Sequence, residues 1–173
     1  MKRTIIATVN NTSGVLNRIT GLFARRHFNI ESITVGITEN PSISRMTFVV
    51  NVDDHRSLDQ VIKQLNKQVD VLKVRDISDE AIVARELALI KVVASPQHRG
   101  ELASLAAPFR ASIIDVGRES VTIQVTGDHQ KVEALIDLLK PYGIKELART
   151  GITAFKRGTK KSVFEGSRYS IIN

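Results

Sequence analysis

The sequence predicts an α+β fold built from two ferredoxin-like plaits, each in the order βαββαβ. Two observations carry this reading. Segments that alternate apolar and polar residues are interleaved with segments whose apolar residues recur every three or four positions. That order runs once through residues 1–77 and again through 86–158, with a linker at 78–85 and a basic tail at 159–173.

In the first unit, Thr4–Val9 alternates and reads as a strand. After the polar loop Asn10-Asn11-Thr12-Ser13-Gly14, Val15, Leu16, Ile19, Leu22 and Phe23 fall on one face of a helix. Ser13 is the expected N-cap. Gly21 inside that helix costs about 1 kcal/mol relative to alanine, which implies close packing there. Ile33, Val35 and Ile37 alternate, as do Met46, Phe48, Val50 and Val52, around turn chemistry at Glu39-Asn40-Pro41-Ser42. This is a hairpin. Asp53-Asp54-His55 opens a second helix with Leu58, Val61, Ile62 and Leu65 on one face, and Val71–Ile77 closes the sheet.

The second unit repeats the scheme. Leu87–Val93 reads as a strand, and Leu102, Leu105, Ala106 and Phe109 mark a helix. Ile113–Val116 and Val121–Val125 form a hairpin around Gly117-Arg118-Glu119-Ser120. Val132, Leu135, Ile136 and Leu139 mark the last helix, and Ile144–Phe155 is the closing strand. Val52-Asp53-Asp54-His55 and Val125-Thr126-Gly127-Asp128-His129 stand at equivalent places, each before a helix, which supports a duplication.

Composition narrows the function classes. The chain is 42% apolar, enough for a core, yet runs such as Leu87-Ala88-Leu89-Ile90 are far short of a membrane span. Met1–Asn10 alternates instead of showing a signal peptide's charged start and apolar stretch, so a cytoplasmic protein without membrane attachment is expected. With no cysteine, disulfides, thiolate nucleophiles and Cys-ligated zinc are excluded. The net charge is +7, and four of those charges come from Lys156–Asn173, where five basic residues face only Glu165. The excess is mostly a tail rather than a groove.

No catalytic constellation stands out. His27, His55, His98 and His129 lie in different segments without metal-ligand spacing, and His55 and His129 read as helix-start residues. No phosphate loop or dinucleotide fingerprint is present. The Asn10–Gly14 loop is the better candidate. A helix start there leaves the backbone N–H groups of Gly14, Val15 and Leu16 for an anion such as an α-carboxylate. Asn11 and Asn29 carry donors and acceptors suited to a zwitterion. A capped loop with no ligand fits the same residues. Phe23, Phe48 and Phe109 read as core, Arg25-Arg26 as a solvated helix face, and Arg45 as an outward-facing sheet residue. An RNA-binding plait needs exposed aromatics on its central strands. Phe48 is expected inward and Val121–Val125 has none, so no nucleic-acid partner is expected.

Asn11-Thr12-Ser13-Gly14-Val15-Leu16-Asn17-Arg18 resembles the start of an ACT domain, a plait that binds small regulatory ligands. More specifically, Asn29–Val35, Ser44–Thr47 and Lys63–Val74 resemble the small regulatory subunit family of acetolactate synthase (acetohydroxyacid synthase). Arg85-Glu86-Leu87, Phe109-Arg110-Ala111, Ile114-Asp115-Val116 and Ala148-Arg149-Thr150-Gly151 fit the same family. The resemblance implies a non-catalytic subunit of branched-chain amino acid biosynthesis that activates a large catalytic subunit and confers feedback inhibition. It implies a homodimer through the N-terminal ACT domains, with L-valine or a related amino acid at the interface. Asn11, Gly14, Val15, Asn29 and Ile30 would line that site, Asn29 reaching across from the partner. No cofactor is expected in this chain; thiamine diphosphate, magnesium and FAD would belong to the large subunit. A stand-alone amino-acid sensor is the nearest alternative, distinguished by the lack of a co-purifying catalytic partner.

Overall fold

A computed structural model of the chain describes residues 1–158. Its first unit runs β1 (Lys2–Asn10), α1 (Val15–Arg25), β2 (Asn29–Ile37), β3 (Ile43–Asn51), α2 (His55–Asn66) and β4 (Val71–Asp76). The strands form one antiparallel sheet in the order β2-β3-β1-β4, the arrangement expected of a ferredoxin-like plait. Period-two alternation sends Ile5, Ala7 and Val9 of β1 and Met46, Phe48 and Val50 of β3 to one face. There they meet Val15, Ile19 and Phe23 of α1 and Leu58, Val61 and Leu65 of α2. The Phe23 and Phe48 rings lie 5.2 Å apart between centroids, so both are core, and β3 turns no aromatic outward.

Helix starts follow local chemistry. Asp54 accepts a hydrogen bond from the Ser57 backbone N–H at 2.7 Å, and this bond holds its carboxyl below the ordinary carboxylate range. Asp128 caps the equivalent helix through Lys131 N–H at 2.9 Å. At α1 the expectation for Ser13 fails. Gly14 is the N-cap, left-handed at φ 82°, and no side chain caps the helix. The left-handed turn starts the helix one residue later than Ser13 could cap it.

Close packing at Gly21 is not found either. A Cβ there would meet only the end of the Arg25 side chain, at 3.8 Å. Gly21→Ala is therefore expected to stabilise the protein by about 1 kcal/mol through helix propensity. An unchanged or lower urea midpoint would contradict this.

The second unit runs β5 (Ile82–Val93), α3 (Arg99–Ala106), β6 (Ser112–Val116), β7 (Ser120–Gly127), α4 (His129–Leu139), β8 (Ile144–Arg149) and β9 (Thr153–Lys156). Its sheet order is β6-β7-β5-β8, with β9 also paired to β5. Ile90, Val92, Val121, Ile123 and Val125 of the sheet pack on Leu102 of α3 and Val132, Leu135 and Leu139 of α4. Phe109 is half-buried against this core, in a single 3-10 turn that contains Pro108.

Two boundaries differ from the sequence reading. β5 begins at Ile82, so the second half of the 78–85 segment is paired strand rather than linker. The closing strand read as Ile144–Phe155 breaks after Arg149 around Gly151, whose φ is 81°. The cause is the length of β5. Its second half pairs with β7 and β8, and its first half, Ile82–Arg85, is left to pair with Thr153–Lys156.

The β8–β9 turn lies on the outer face of the first sheet. Thr34 Oγ1 donates to the Ile152 carbonyl at 2.8 Å, and Ala154 packs with Ile6 and Ile77 in a small third core. A Cβ on Gly151 would stand 3.1 Å from that of Ser32, so the contact is close. Among the described residues, no helix is long and apolar enough to cross a membrane.

Candidate functional site

The loop between β1 and α1 is pinned from both sides. Asn10 N–H donates to the Asp70 carbonyl at 2.8 Å and Asn11 N–H to the Ser42 carbonyl at 2.7 Å. Asn11 Nδ2 donates to the Pro41 carbonyl at 2.9 Å, and Asn11 is exposed, with no hydrogen bond to its Oδ1 among the described residues. Thr12 and Arg18 converge on the Asp70 carboxylate, Thr12 Oγ1 at 3.4 Å and the Arg18 guanidinium in an ion pair.

Gly14 carries the geometry of the helix start. A Cβ at this position would lie 3.0 Å from Arg18 Nη1, so the guanidinium sits directly over the glycine. The backbone N–H groups of Gly14 and Leu16 find no acceptor among the described residues. That of Val15 leans back to the Thr12 carbonyl at 3.5 Å, so it is not fully available as expected. The Val15 side chain is 3% exposed and belongs to the core, which leaves only its backbone to the site. Two amide donors, the positive end of a helix and a guanidinium form a place for a carboxylate. Arg18 and Asp70 were missed by sequence reasoning because their pairing spans 52 residues. The one local signal is a cation four residues after the helix-start glycine.

The remaining two site residues lie elsewhere. Asn29 is opposite Asn51, which in turn faces Lys2 at the start of β1. The Asn11 loop follows the other end of β1, about 27 Å away at ~3.4 Å per residue. Ile30 pairs with Val50 at the same far end and packs against the first core. Within one chain the structure brings together Asn11, Gly14 and Val15, but not Asn29 or Ile30. β2, which carries the latter two, is an edge strand with Val35 48% and Ile37 65% exposed.

A second group of charges lies between the two units, beside a cavity of about 400 Å³. The Glu86 carboxylate is 2% exposed and accepts from Arg149 Nη2 at 2.7 Å. His129 Nδ1 is 3.2 Å from the same carboxylate, so this helix-start residue also has a partner in the neighbouring strand.

Residues 5–73 match the family model described as AHAS small subunit-like ACT domain, and residues 85–158 match that described as small subunit of acetolactate synthase. Over 172 residues the chain is 60% identical to the acetolactate synthase small subunit of Bacillus subtilis (strain 168), covering 99% of this chain and 100% of that one. The chain belongs to the acetolactate synthase small-subunit family. The probable acetolactate synthase small subunit of Archaeoglobus fulgidus is 57% identical, covering 93% of this chain and all of that one. The crystal structure of the small subunit from Thermotoga maritima superposes with a TM-score of 0.83 at 42% identity, covering 92% of this chain and 99% of that one. The loop of Asn11, Gly14 and Val15 therefore stands at the start of the ACT-domain match, and the Glu86–Arg149 pair lies inside the second match. As a small subunit, the chain implies a large catalytic partner.

Proposed function

We propose that the chain is the non-catalytic regulatory subunit of acetolactate synthase, binding and activating the large subunit and making it sensitive to valine. Thiamine diphosphate, magnesium and FAD are assigned to that large subunit, in the cytoplasm. The observation that supports the effector site is the placement of its residues at opposite ends of one sheet. β2 is an unpaired edge with exposed Val35 and Ile37, and Leu16 on α1 is also exposed. A second copy pairing its own β2 antiparallel across a two-fold axis reverses the strand direction. Its Asn29 and Ile30 then come beside Ile37, at the end of the sheet where Asn11 and Gly14 lie. Covering the exposed apolar side chains favours that pairing by about 25 cal/mol per Å².

In this arrangement the ligand carboxylate meets the Gly14 and Leu16 amides under Arg18. The ammonium meets the oxygens of Asn11 and of the second copy's Asn29. Valine regulates by binding one arrangement of the complex better than another, a difference of roughly 1–3 kcal/mol in typical couplings.

Subunit mixing tests the site. Asn11→Ala and Asn29→Ala dimers are each expected to show no heat with L-valine, and wild type none with D-valine. After random exchange between the two variants, half the dimers are mixed and each holds one intact site of two. About a quarter of the L-valine sites should therefore return in calorimetry. No recovery would sink the cross-subunit site. Failure of the wild-type chain to raise large-subunit activity would sink the regulatory reading.

A further inference from the structure

The outer face of the first sheet is covered on one side only. The β8–β9 turn packs over Ser32, Thr34 and Ile6. Beyond it lies an open depression of about 360 Å³ whose rim is cationic. Arg45 and Lys73 both register with Thr8, on opposite sides of β1, and Arg75 registers with Ile6 two residues along. Alternation places all three on this outer face, with Arg45 and Lys73 backbones ~10 Å apart. Lys156 reaches the same depression from β9, and the Phe155 ring beside it is 53% exposed.

These charges are poorly balanced. Lys156 pairs with Glu80 at 2.6 Å and Arg75 shares that carboxylate at 3.5 Å. Arg45 and Lys73 have no carboxylate within ion-pair distance among the described residues. Four cations and an exposed aromatic ring thus meet one acid, above a floor of Ile6 and Ile77. Arginine and aromatic side chains are enriched at interfaces, and Arg45, Arg75 and Phe155 supply them here, with the two lysines adding charge at the rim.

We propose that this cationic shelf is the surface that docks an acidic segment of the large catalytic subunit, a step that rests on the regulatory reading above. Charge complementarity selects the occupant. A second copy would bring like charges to the shelf, and the chain beyond residue 158 is itself basic. A nucleic acid needs a stripe of cations that follows its phosphates, whereas these four converge on one hollow bounded by the second unit. The shelf lies one strand in from the β2 edge, so pairing of two copies through β2 leaves it open.

The test uses the full chain and the large subunit from the same source. Binding is titrated at about 50 and 300 mM salt, where surface attraction differs strongly. Arg45→Glu with Lys73→Glu is expected to weaken binding at low salt by about tenfold or more and to flatten the salt dependence. Arg45→Lys with Lys73→Arg should bind as wild type, and both double variants should give wild-type heat with L-valine. Unchanged affinity and salt dependence in the reversal variant would overturn the shelf while leaving the regulatory reading intact. A wild-type chain that does not bind the large subunit would overturn both. Salt-dependent oligonucleotide binding that the reversal abolishes without touching large-subunit affinity would overturn the shelf alone.

Discussion

Gly14→Asp is expected to lower L-valine affinity by about a hundredfold and to remove valine inhibition of the reconstituted enzyme. Two costs add. An L-residue held at φ 82° costs roughly 1–2 kcal/mol, and the loop escapes by leaving the shape that presents its amides. The Cβ of the new side chain would stand 3.0 Å from Arg18 Nη1, which brings its carboxylate within reach of the guanidinium proposed to receive the ligand carboxylate. A charge-assisted hydrogen bond contributes about 1.5–3 kcal/mol, so the combined loss reaches ~3 kcal/mol, or about a hundredfold. Gly14→Ala separates the terms, since it keeps the backbone cost without the charge, and should lose about tenfold. Calorimetry and the inhibition midpoint read both. An inhibition midpoint that Gly14→Asp leaves in place would remove the helix start from the site.

Arg149→Ala is expected to destabilise the protein by about 3–5 kcal/mol, because it strands a carboxylate in the interior. Glu86 is 2% exposed, and Arg149 Nη2 is its shortest contact, at 2.7 Å. His129 Nδ1 stands farther off, at 3.2 Å, and offers a single ring nitrogen where the guanidinium presents a fork of donors. Replacing both partners, as Glu86→Gln with Arg149→Met, should cost far less than Arg149→Ala alone. Urea denaturation of the three variants measures this. A single-variant loss under 1 kcal/mol would show that water reaches Glu86.

Much of the architecture was legible because one face of each sheet is buried and the other is not. Ile5, Ala7 and Val9 must alternate with polar residues when only the helix side is dry. The first half of β5 broke that rule. Ile82-Val83-Ala84 carries apolar residues on both faces because the strand there sits between β9 and the junction of the two units. The same junction hid the turn at Gly151, since Ile152 and Ala154 still alternate toward it. At the site, a polar loop between a strand and a helix pointed to Asn11 and Gly14 from local order alone. Arg18 and Asp70 could not be paired that way, because nothing local links residues 52 positions apart. Ser13 looked like a cap because hydroxyls usually serve, but a left-handed glycine removed the need for one.

β5 has a mechanical consequence. Spanning 12 residues, or about 40 Å, it belongs to the main ladder of the second unit at one end and to the β9 pairing at the other. The two halves of the molecule are therefore joined by a braced spar rather than a tether. Thr34 on β2 grips the far side of the same brace through Ile152. Under the proposed pairing of two copies through β2, a small tilt of that edge strand would carry through this brace to the second unit, as a gate turns on its post, instead of dissipating in a slack joint.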